Sequence, residues 1–168
     1  MTPRIGYVRK FARTLLQRNG IKSPPVDLKA LIEKEGLEYE EVDYFPDDVD
    51  ALIIHHEGII TAAVNKNHAP NRRRFSLAHE LGHHFLHADR SVLEETTTID
   101  STTDRENIHG KDVFEAEADC FAGELLIPLP FLKTTYKSGM TTADLATVFQ
   151  VSEQVAAIAI STHFKSLF

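Results

Sequence analysis

The sequence predicts an α+β fold, mainly helical, with a small antiparallel three-stranded sheet beside a histidine-rich helix and a helical C-terminal tail. Three observations carry this. Segments 71–87 and 112–126 repeat apolar residues at helical spacing, 37–65 breaks into short β-prone runs, and 131–166 returns to a helical pattern. With 168 residues, 42% hydrophobic and 26% charged, the chain suits one domain able to bury a core. We read it as a single domain, 1–168, in three parts: N-terminal helices to 36, the sheet and the two strong helices over 37–130, and the tail over 131–168.

Residues 4–19 form the first helix, stopped by Asn19-Gly20. Its stripe of Ile5, Val8, Leu15 and Leu16 lies among Arg4, Arg9, Lys10, Arg13 and Arg18, the pattern of a surface helix rather than a targeting peptide or membrane contact. After "SPPVD", Asp27 caps a second helix that reaches Glu35 and stops at Gly36. "LEYEEVDY", "DALIIHH" and "GIITAAVN" are the strands, with Glu57-Gly58 as a hairpin turn between the last two. The histidine-rich helix follows Pro70, with Asn71 as its cap, and runs to about His87. Residues 89–112 are threonine-rich and without period, a long mobile loop. A helix over 112–126 ends at "IPLP".

Charge excludes some functions. Eighteen basic against twenty-five acidic side chains give a net −7, a poor match for nucleic acid or an anionic membrane. Nothing approaches a membrane span. The one cysteine, Cys120, leaves no internal disulfide and fits a reducing compartment, so a cytoplasmic location is expected.

The chemistry concentrates in "RRRFSLAHELGHHFLH", residues 72–87, which holds four of the nine histidines. His79-Glu80-Leu81-Gly82-His83 is an H-E-x-x-H. On a helix, His79 and His83 lie one turn apart on one face and can reach one ion. Glu80, about 100° round, can serve a water beside that ion as a base without being a ligand. Phe75, Ala78, Leu81, Phe85 and Leu86 make the helix a buried one, where unpaired polar groups would be costly.

A catalytic zinc site needs a third protein ligand. A third histidine ten positions after His79 is absent; Asp89 stands there, without the turn-forming glycine at Leu86. "FEAEADCFAGELLIP" offers instead Glu115 and Asp119, four apart on one helical face, with Ala118 and Ala122 small enough for close approach opposite Gly82. In this arrangement Glu115 binds the metal and Asp119 bonds the outer nitrogen of a histidine ligand. Glu117 is the competing ligand, but it lies about 160° round the helix from Asp119.

Taken together, "GIITAAVNKNHAPNRRRFSLAHELGHHFLH" and "FEAEADCFAGELLIP" resemble the ImmA/IrrE family of zinc metallopeptidases over about 60–128. The match rests on the paired motifs, R-F-S-L-A-H-E-L-G-H and E-x-E-A-D-x-F-A-x-x-L-L-x-P; Ile127 stands where methionine is common. The resemblance implies a zincin-like, gluzincin-type fold and one Zn²⁺ per chain. It also implies a partner substrate, a helix-turn-helix repressor or antitoxin encoded in a mobile-element, toxin–antitoxin or stress circuit.

The residues and the resemblance together point to a site-specific metalloendopeptidase in which His79, His83 and Glu115 hold zinc and Glu80 is the general base. The alternatives are a general or amino-terminal peptidase on small peptides, and a non-catalytic zinc-binding regulator that sequesters its partner. An exposed strand edge within 51–64 would pair with an extended substrate. The oxyanion helper stays open among Tyr136, His109, Arg74 and His87. His84 is read as a bystander, His87 as lying either behind the ligands or at the surface, His55-His56 as a strand pair, and Cys120 as a small buried hydrophobe. "TTADLATVFQVSEQVAAIAISTHFK" has a helix-turn-helix pattern through Leu145, Ala146, Phe149, Val151, Ser152, Val155 and Ile158. With Lys165 the only Lys or Arg after 141, this tail suits packing or partner recognition, and no direct nucleic-acid binding is expected.

Overall fold

Asp27 shows how closely local sequence sets an element here. Its carboxylate accepts the Ala30 N–H at 3.0 Å and starts helix α2 (Leu28–Lys34), which ends before Gly36 at φ 82°. The computed structural model describes residues 2–87 and 108–167. Ahead of α2 lies α1 (Ile5–Arg18), with Val8, Ala12, Leu15 and Leu16 buried.

The strands are β1 (Glu38–Val42), β2 (Ala51–His56) and β3 (Ile59–Asn65). Glu57 at φ 50° and Gly58 at φ 83° close the β2–β3 hairpin with both turn residues left-handed, as a two-residue turn of matching twist requires. The sheet is mixed, not antiparallel throughout. Its order is β1-β3-β2, with Glu38 to Val42 parallel to Thr61 to Asn65.

The physical reason is the link between β1 and β2, which crosses the end of β3 instead of turning back. Asn65, 1% exposed, pins it. Its amide donates to the Val49 carbonyl at 3.0 Å and its own N–H to the Asp50 carbonyl at 2.8 Å. Lys66 N–H reaches the Val42 carbonyl at 2.8 Å. The crossing leaves β2 as an edge strand.

Helix α3 (Pro70–Leu86) packs across β2 and β3 and against α4 (Ile108–Leu126), which also covers α1. Asn71 does not cap α3. Ala69 occupies the cap position, because Pro70, with no N–H to satisfy, takes the first helical place, and Asn71 instead donates to the Val151 carbonyl at 2.9 Å. Helix α4 begins at Ile108, four residues before the expected start; the rest of the expected loop, 89–107, lies outside the described residues.

The tail folds as α5 (Leu129–Thr135), α6 (Thr142–Phe149) and α7 (Glu153–Leu167). Thr141 and Asp144 form a reciprocal capping box at α6. A 106° bend separates α6 from α7, within the range of a helix-turn-helix. Leu145, Ala146, Phe149 and Val151 are buried as the pattern expects, but α7 turns Ala156, Ala159 and His163 inward and leaves Ile158 57% exposed. No helix among the described residues is long and apolar enough to cross a membrane.

One buried carboxylate ties the helices together. Glu124 of α4 accepts from Arg13 Nε at 2.6 Å and Leu129 N–H at 2.9 Å, and its other oxygen lies 3.1 Å from His163 Nε2. Burial pushes the His163 imidazole below its ordinary pKa; Glu124 pulls it up, and Arg9 and Arg13 push it down. The folded state thus favours neutral His163. Its contribution is complete above the usual histidine pKa of roughly 6.5 and is lost as pH falls below it. Urea midpoints should decline as pH falls below about 6.5, and His163→Gln should flatten that decline; an unchanged slope would contradict the assignment.

Candidate metal centre

The centre is built on two crossing helices that touch at their smallest residues. Gly82 on α3 faces the backbone of Ala118 on α4, where an added Cβ would lie 3.1 Å from the Ala118 Cα. That approach brings the histidine row of α3 against Glu115 and Asp119.

His79 Nε2 lies 3.3 Å from one Glu115 oxygen, His83 Nε2 lies 3.4 Å from the other, and the two nitrogens are 3.0 Å apart. These contacts to Glu115 exceed ordinary N–H···O hydrogen-bond lengths, so the three groups converge on a shared point more than on each other. Among the described residues they form the one cluster of three or more such side chains able to hold a metal ion. Behind His79, Nδ1 sits 2.8 Å from Asp119 Oδ1. With Nδ1–H given to that carboxylate, Nε2 keeps its lone pair toward the cluster.

Glu117 is not in the cluster. It is 1% exposed on the side of α4 facing α1, where Arg4 donates to both its oxygens and holds its carboxyl at about 2. His87, expected behind the ligands or at the surface, lies against it, with Nε2 3.1 Å from Glu117 Oε2 and Nδ1 3.2 Å from His83 Nδ1. The signal in the sequence was a charged residue between Ala116 and Ala118 on a buried helix, which requires a partner.

Glu80 lines an open cleft of about 360 Å³ together with His79, Phe75, Ser76 and the stretch Asp48 to Leu52 at the start of edge strand β2. Burial pushes its carboxyl up; His79 opposes this and Glu115 adds to it. The His84 ring lies 5.8 Å from the His55 ring, tilted 49° to it, and burial, then His55, pushes its imidazole down. Cys120 is half-buried against the core, with burial pushing its thiol up.

Of the four oxyanion candidates, Arg74, His87 and Tyr136 do not line the cleft. Arg74 is committed to the carbonyls of Gln150 and Val26, His87 to Glu117, and Tyr136 packs against the core at the end of α5. The His109 side chain lies outside the described residues.

A small mixed sheet beside a helix carrying H-E-x-x-H, with a carboxylate from a second helix, defines a metallopeptidase-like domain. The chain belongs to the family described as the IrrE N-terminal-like domain, peptidase M78, whose model matches residues 32–161. Among solved structures it is similar to a Mycobacterium tuberculosis transcriptional regulator, at 18% identity and a TM-score of 0.66. That match covers 93% of this chain and 46% of the other, so the chain spans less than half of that protein, and the likeness concerns the fold. A search of curated protein sequences finds no match.

Proposed function

We propose that the protein is a zinc-dependent, site-specific metalloendopeptidase that cleaves a partner helix-turn-helix repressor or antitoxin in the cytoplasm. The observation that carries this reading is the convergence of His79, His83 and Glu115 beside a cleft lined by Glu80. The donor set fits: two imidazole nitrogens and one carboxylate are a common catalytic zinc set, and Asp119 presents the His79 lone pair to it. When bound there, zinc supplies Lewis-acid polarisation of the scissile carbonyl and makes water a better nucleophile near neutral pH.

The chain's own residues do the rest. Glu80 takes a proton from the attacking water as its oxygen bonds to the carbonyl carbon, then gives that proton to the amine nitrogen as the C–N bond breaks. Edge strand β2, which contributes Ala51 and Leu52 to the cleft, can hold an extended substrate by main-chain pairing. The bent α6–α7 pair, poor in cations, suits recognition of a protein partner better than of DNA.

The test is to incubate the purified chain with candidate repressors, first those encoded beside it, with and without a chelator and added zinc. A single cut that a chelator abolishes and zinc restores supports the reading. Broad digestion of casein would favour a general peptidase, and a stable uncleaved complex a sequestering regulator. Asp119→Asn should weaken zinc binding about 10–100-fold, read by competition with a chromogenic chelator; unaltered affinity would remove Asp119 from this role.

A further inference from the structure

The two histidines of the cluster are held from behind in different ways. Asp119, behind His79, is an exposed carboxylate, its side chain 61% accessible. Behind His83 stands a buried string. His83 Nδ1 meets His87 Nδ1 at 3.2 Å, and His87 Nε2 meets Glu117 Oε2 at 3.1 Å. Glu117 in turn accepts from Arg4 Nη2 at 2.7 Å, Arg4 Nε at 3.0 Å and the Arg4 backbone N–H at 2.7 Å. The side chains of His87 and Glu117 are 5% and 1% exposed, so water does not compete for these contacts.

The donor and acceptor order along the string follows from its two ends. Glu117, with three donors from Arg4 on its oxygens, is an acceptor toward His87, so His87 Nε2 carries the hydrogen. With His83 Nε2 turned to the cluster, the His83 ring hydrogen sits on Nδ1, and the facing His87 Nδ1 accepts it. That leaves the His83 Nε2 lone pair pointing toward Glu115 and His79.

We propose that His87, backed by Glu117 and Arg4, is the positioning residue that fixes the tautomer and ring orientation of His83. The proposal rests on the metal reading above. It makes residues in three elements, α1, α3 and α4, part of one device: the turn that begins α1 holds the carboxylate, and the end of α3 relays its hydrogen-bond polarity to the cluster. Nothing in the H-E-x-x-H pattern requires His87, which lies a turn beyond the pair and is no ligand.

Two measurements test it on the full chain. Long-range ¹H–¹⁵N correlation spectra of the zinc-free protein report which ring nitrogen bears hydrogen. His83 is expected as the Nδ1–H tautomer, and in His87→Phe it should shift toward Nε2–H. Zinc affinity, read by chelator competition, should fall about 10–100-fold in His87→Phe and recover in His87→Gln, whose amide can accept from His83 and donate to Glu117. A wild-type His83 found as Nε2–H overturns the proposal even if the variants fail to fold. Wild type that binds zinc with His87→Phe unaffected also overturns it and leaves the metal reading standing. A wild type that takes up no zinc overturns both.

Discussion

Glu80→Gln is expected to retain zinc at the wild-type level and to lose about 10²–10⁴-fold in kcat, equivalent to about 3–5 kcal/mol of barrier. Glu80 is next to His79 in sequence yet outside the cluster that His79 forms with His83 and Glu115, and it lines the cleft instead. Glutamine keeps the size of the side chain and its contacts with the cleft wall. What it removes is the ability to accept a proton. A residue that only helped shape the site would therefore tolerate the change, while a base would not. Metal content by elemental analysis and kcat on a cleaved partner separate the two roles. Activity within tenfold of wild type, at equal zinc content, would exclude Glu80 as the base.

What the sequence made legible is what short-range geometry controls. The four-residue spacings of His79 with His83 and of Glu115 with Asp119 each specify one helical face, and the structure brings the two faces together. The Asp27 cap and the Glu57-Gly58 turn are equally local. The sheet order was not legible because it depends on where the 43–50 link is tied down, and Asn65 does that through carbonyls of the link itself. The surroundings of His87 were illegible for a related reason. Its i+4 spacing from His83 is visible, but its other contacts are with Glu117 and, through it, Arg4, partners 30 and more residues away in sequence.

Gly82→Val is expected to destabilise the fold by about 1–3 kcal/mol and to weaken zinc binding at least tenfold, while Gly123→Ala should leave both unharmed. Both glycines lie within helices, where glycine costs roughly 0.5–1 kcal/mol relative to alanine, so propensity alone favours replacing either. Surroundings divide them. A Cβ at Gly123 meets nothing within 4 Å, so the alanine there should stabilise by about the propensity difference. At Gly82 the Cβ would lie 3.1 Å from Ala118 Cα, 3.3 Å from the Ala118 carbonyl oxygen and 3.1 Å from Phe121 Cδ1. Two of those atoms are backbone and cannot swing aside, and Phe121, at 0% exposure, has no free volume to enter. Valine's γ carbons add to the overlap, so α4 must move off α3. Ala118 sits between Glu115 and Asp119, and any such movement carries both carboxylates away from the histidines at once. The loss of zinc affinity should therefore accompany the loss of stability in Gly82→Val, read by chelator competition and thermal unfolding. If Gly82→Val and Gly123→Ala shift Tm in the same upward direction, close helix approach is not what this glycine provides.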